Sequence, residues 1–99
     1  MRPIHTAELD RQRPVLVLTR ELVRPHLRRV TVAPITNTVR GLSTEVPVGV
    51  ANGLQSDGVV SCDNIVTVPT AALGHQIGRL LPDQEPVLSA AIQAAFDLE

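Results

Sequence analysis

Three kinds of side chain in this 99-residue sequence could do chemistry: nine arginines with no lysine, the histidines His5, His26 and His75, and the single cysteine Cys62. Two histidines held together can serve as a general acid and a general base. His5, His26 and His75 have no common neighbourhood in the sequence, and scattered exposed histidines are the plainer expectation. Cys62 follows an aliphatic stretch and reads as a small buried strand residue. Being alone, it supports neither a disulfide framework nor a cysteine zinc site, and a reducing compartment is expected. Arginine differs from lysine in presenting a planar fork of donors that suits phosphate. There is no phosphate-binding glycine loop, HExxH, GxSxG or CxxC pair. Taken singly, Arg13 is an extended residue before a proline, and Thr36 is a β-branched residue at a strand end.

Charge is divided along the chain. Residues 1–50 carry eight arginines against Glu8, Asp10, Glu21 and Glu45, a net +4, while residues 51–99 carry Arg79 against six acids, a net −5. The total of −1 therefore hides a basic half suited to an anionic partner and an acidic half that is not. Phe96 is the only aromatic side chain among Phe, Trp and Tyr. Single-stranded nucleic acid commonly stacks on such rings, so binding here would lean on arginine, hydrogen bonds and phosphate contacts. The first ten residues hold no apolar signal-peptide core, and no apolar stretch approaches the length of a membrane span. A soluble, cytoplasmic protein with no membrane association is expected.

The elements that would position these residues are mostly strands. Val15 to Thr19 after Pro14 is a continuous aliphatic run, as in a strand buried on both faces. Arg20 to Arg29, broken by Pro25, reads as a basic connection. Val30 to Ile35 reads as a second buried strand, with Pro34 near its end. A loop over Asn37–Ser43 leads to a third strand at Thr44–Val48. Ala51–Gly58, with Asn52-Gly53 and Asp57-Gly58, is turn chemistry. Val59–Cys62 and Ile65–Val68 read as short strands around Asp63-Asn64, and Leu73–Leu81 fits a strand or a turn-helix. Val87, Leu88, Ala91, Ile92, Ala95 and Phe96 recur at helical spacing, giving a terminal helix over about residues 84–97 with Asp83 or Gln84 as its cap. One domain over residues 1–99 results, a small α+β fold on a curled sheet or barrel. So small a domain buries a modest share of its surface and gains from a second copy or a tight partner.

Three segments carry more than composition: Arg13-Pro14-Val15-Leu16-Val17-Leu18, then Val32-Ala33-Pro34-Ile35-Thr36, then Val60-Ser61-Cys62-Asp63-Asn64-Ile65-Val66-Thr67. In this order and spacing the chain resembles the MazF/PemK toxins of type II toxin-antitoxin systems, from about Arg13 through the terminal helix. The resemblance implies an SH3-like barrel of short antiparallel strands, a homodimer, and inhibition by a cognate MazE-like antitoxin. It also implies cofactor-free, metal-independent cleavage of single-stranded RNA to a 2',3'-cyclic phosphate. Residue by residue, the family's catalytic arginine and threonine fall on Arg13 and Thr36. Around them Arg11, Asn37, Thr38, Arg40, Ser43 and Thr44 are the expected RNA contacts. Asp63 and Asn64 match the acidic-amide step and are expected to secure a turn near the site through side-chain to backbone bonds. Residues 1–12 depart from the family as a shortened strand and loop. Two rival functions share the fold, a CcdB-like gyrase-binding poison and an inactive homologue that binds antitoxin or RNA without cutting.

Overall fold

A computed structural model describes residues 2–98, so the outermost residues of the 1–99 domain, Met1 and Glu99, lie outside the described residues. Seven strands and one helix follow in order: β1 (Pro3–Glu8), β2 (Gln12–Val17), β3 (Arg29–Thr36), β4 (Glu45–Val48), β5 (Gly58–Ser61), β6 (Val66–Pro69), β7 (Leu73–Arg79) and α1 (Glu85–Ala95). All strand pairs are antiparallel, in the order β4-β5-β3-β2-β1-β7, with β6 also on β3. The α+β class holds, but the sheet is curled and open where a closed barrel was expected: no described ladder joins β4 to β7. The undecided segment after Leu73 is a strand. Within the segment expected as a shortened strand and loop, the described residues form the six-residue strand β1, Pro3–Glu8, and the turn that leads to β2.

The curl comes from β3 and its proline. Residues Arg29–Val32 pair with β6, whereas Ile35 and Thr36 pair with β5. Ala33 and Pro34 fall in the gap between these two partners. A proline cannot donate to a ladder, so placing it where the neighbour changes costs no bond and lets the strand bend.

The continuous apolar run of β2 is explained by two cores. Leu16 packs with Ile4, Ala33, Ile35, Val46, Val60 and Leu80 beneath Leu88 and Ala91 of α1. Val15 and Val17 point the other way, into a smaller cluster with Ala7, Val30, Val32 and Val68. Alternate residues thus fill both faces.

The helix begins after a 3₁₀ turn at Pro82–Gln84, and neither Asp83 nor Gln84 caps it by a side-chain bond. The Gln84 carboxamide is occupied elsewhere: its Oε1 accepts from the Leu81 N–H at 2.8 Å and from Asn52 Nδ2 at 2.6 Å. Asn52, only 2% exposed, also donates to the Arg79 carbonyl and accepts from the Gly49 N–H. One buried amide therefore ties the β4–β5 connection, the end of β7 and the start of the helix together. Arg2 adds an ion pair to Glu85 and a bond to the Leu18 carbonyl. Among the described residues no helix is long and apolar enough to cross a membrane.

Candidate active site

Strand register brings Arg13 and Thr36 together. Val15 faces Pro34, Leu16 faces Ala33 and Val17 faces Val32. Continuing that antiparallel register by two residues sets Arg13 opposite Thr36. Both share strand parity with Val15, Val17 and Val32, so they stand at the rim of the smaller core. A cleft of about 460 Å³ opens there, lined by Arg11, Gln12, Arg13 and Pro14 on one side and Ile35, Thr36, Asn37 and Thr38 on the other.

The Arg13 side chain is 24% exposed, and its guanidinium is held from behind. Its Nη2 donates to Asp10 Oδ2 at 3.1 Å, a residue that the β1–β2 turn carries back toward the strand. Nε is screened from solvent and has no partner. A guanidinium cannot give up its proton at working pH, so this geometry offers fixed positive charge with donors to spare. Thr36 is arranged to complement it. Its Oγ1 accepts the Thr38 N–H at 3.1 Å, which leaves the hydroxyl proton for another acceptor. Asn37 Nδ2 donates to Ser56 Oγ at 2.9 Å, bringing the β4–β5 connection to the edge of the cleft. The arrangement can bind one phosphate between a cation and a hydroxyl, and stabilise charge that grows on its oxygens. No three His, Cys, Asp or Glu side chains among the described residues converge as metal ligands.

Of the residues expected from sequence, Arg11, Arg13, Thr36, Asn37 and Thr38 line the cleft. Arg40, Ser43 and Thr44 do not. The Glu45 carboxylate accepts the backbone N–H groups of Arg40 and Leu42, folding this loop onto β4 and away from the cleft. Asp63 and Asn64 occupy a 3₁₀ turn at the end of β5 remote from Thr36, since Thr36 faces Val59 near the start of that strand. They secure the turn through side chains and not backbone: Thr44 Oγ1 donates to Asp63 Oδ2 at 2.6 Å, and Asn64 Nδ2 donates to Ser61 Oγ at 2.8 Å. Cys62 opens this turn, buried as expected. Burial, and then the Asp63 carboxylate, pushes its thiol from an ordinary 9.0 up to about 11. Asp10 and Ser56 join the cleft without having been expected from the sequence. The spacing of Asp10 and Arg13 around a turn was a legible signal, whereas the approach of Ser56 depends on sheet curvature.

Known proteins bear out the family resemblance. The family model described as "PemK-like, MazF-like toxin of type II toxin-antitoxin system" matches residues 2–96. Over 99 residues, the chain is 67% identical to "Endoribonuclease MazF3" of Mycobacterium tuberculosis, covering 100% of this chain and 96% of that protein. The solved structure titled "Mycobacterium tuberculosis toxin MazF-mt6" superposes with a TM-score of 0.96 at 66% identity, covering 98% of each chain. A mycobacterial structure described as an endoribonuclease in complex with its cognate antitoxin superposes with a TM-score of 0.88 at 26% identity, covering 98% of this chain and 93% of that one. With a family match spanning nearly its whole length and a relative 67% identical throughout, the chain belongs to the PemK-like, MazF-like toxins of type II toxin-antitoxin systems.

Proposed function

We propose that this MazF-type toxin, an endoribonuclease like the relatives that carry that name, cleaves single-stranded RNA in the cleft between Arg13 and Thr36. The observation that supports this most is the shared cleft, with Arg13 across from Thr36 at the end of the β2–β3 ladder. The substrate's 2'-hydroxyl gives up its proton to water as it attacks the adjacent phosphorus, the bond to the 5'-oxygen breaks, and the leaving oxygen takes a proton from water in return. A 2',3'-cyclic phosphate and a 5'-hydroxyl result. Arg13 holds the non-bridging oxygens where negative charge develops, and a free N–H can lie toward the leaving oxygen. Thr36 donates its hydroxyl to the same phosphate. Asp10 positions the guanidinium without touching substrate.

Arg11, Asn37 and Thr38 contact the strand on either side of the scissile phosphate. The toxin acts in the cytoplasm as a homodimer, and a cognate antitoxin silences it by laying an acidic, apolar tail across the arginine-lined cleft. Exposed Leu22, Phe96 and Leu98 are apolar surface that such assemblies could cover. The test is incubation of purified protein with defined RNA in EDTA, followed by mapping of both product ends. Cuts at a fixed motif with cyclic-phosphate and 5'-hydroxyl ends are expected. Intact RNA under all conditions would refute the proposal.

A further inference from the structure

The cleft does not stop at Arg13 and Thr36. A second cavity of about 450 Å³ adjoins it and shares Pro14, Ile35 and Asn37 as a common wall. Leu54 and Ile77 supply more apolar lining, while Gln55, Ser56 and His75 supply polar groups.

His75 is set there by irregular pairing. Ile4 faces Gly78, His5 faces Gln76 and Ala7 faces Leu73, so β7 carries an extra residue at each of two steps against β1. Bulges of this kind bend a strand and re-aim its side chains, often beside active sites. The second bulge holds Gly74 and His75, and the Gly74 carbonyl is pinned by a 2.9 Å hydrogen bond with His5 Nδ1. The facing wall is equally fixed. Gly53 has φ +89°, and at its crossing with Gly78 a Cβ on either glycine would strike a backbone carbonyl, of Ile77 or of Asn52. This backbone contact holds Leu54, Gln55 and Ser56 opposite His75.

An unpaired base leaving a stack needs a flat partner and edge donors or acceptors. The sequence contains no Trp or Tyr, and Phe96 lies at the far end of α1. The ring that lines this cavity is the exposed imidazole of His75. Beside it Gln55 offers a carboxamide, and the Asn37–Ser56 pair retains an amide oxygen and a hydroxyl proton after its mutual bond.

We infer that the cavity receives one unstacked nucleobase next to the scissile phosphate, with His75 as its stacking platform and Gln55 with Asn37–Ser56 reading its edge. The inference rests on the ribonuclease reading and adds where base preference is set. The test is single-turnover cleavage of oligoribonucleotides in which an abasic nucleotide is moved through the positions flanking the cut. In the wild type one abasic position should slow cleavage about tenfold or more. His75→Ala should show that same loss on intact RNA and no further loss at that abasic position, His75→Phe should restore the rate, and Gln55→Ala should alter base preference at that position alone. Wild-type rates for His75→Ala, or a loss that simply adds to every abasic penalty, would overturn the inference while leaving the ribonuclease reading intact. RNA left uncut by the wild type would overturn both.

Discussion

Arg11 and Arg40 carry the same group, yet only Arg11 lines the cleft; the Arg40 backbone is drawn toward Glu45 on the β4 side. A phosphate contact on single-stranded nucleic acid contributes roughly 0.7 to the slope of log affinity against log salt. Arg11→Ala should therefore lower the slope measured by fluorescence anisotropy on a short RNA by about that amount. Arg40→Ala should leave it unchanged. An Arg40 effect equal to that of Arg11 would put the loop after Thr36 back on the RNA path. Cys62 gives a second residue-scale prediction. The folded thiol keeps its proton to about pH 11, whereas an exposed one loses it near 9.0. Between those values the unfolded chain binds fewer protons than the folded one, so stability falls as pH rises from 9 to about 11. Urea denaturation across that interval should show the decline, and Cys62→Ala should flatten it. Below pH 9 this thiol should contribute no slope.

At the scale of elements, the Asn52 bracket joins three pieces of chain that meet only after the sheet has formed. Asn52→Ala leaves its buried partners unsatisfied and should cost about 2–3 kcal/mol in chemical denaturation. Loss of less than about half a kcal/mol would show that water replaces the amide there. Sequence suggested Asn52-Gly53 only as a turn, because a side chain's distant partners leave no local trace. What local pattern could reveal was revealed: the two-faced β2, the Pro34-bearing β3 and the helical spacing after Pro86 all matched the described elements. The bounds of the first strand, Pro3–Glu8, were not legible because PIHTAE lacks clean alternation; pairing with β2 on one side and β7 on the other sets them. The β7 bulges, which decide where His75 sits, likewise arise from pairing and not from composition. The site followed the same rule. Arg13 and Thr36 were singled out only by the family resemblance, since each taken alone is an ordinary residue at the end of an aliphatic run, whereas Ser56 reaches the cleft edge through loop packing and His75 through the β7 bulges.

For the whole molecule, the uneven charge gains a meaning. Arg11 and Arg13, from the basic half, line one wall of the cleft, while the acids Asp83 and Glu85 belong to the turn and helix that pack behind the sheet. A polyanion and an acidic antitoxin tail would compete for the same arginines, so an antitoxin peptide should raise the apparent KM for RNA without changing kcat. The proposed reaction requires that one phosphate be held jointly by Arg13 and Thr36. The most direct measurement is single-turnover cleavage by Arg13→Ala, Thr36→Val and the double variant, each first shown to fold by circular dichroism. Removing one such donor should cost about 10²–10³ in rate, and the double variant should be scarcely worse than Arg13→Ala alone, as for groups that act as a unit. Wild-type cleavage by Arg13→Ala, or losses that multiply fully in the double variant, would contradict it.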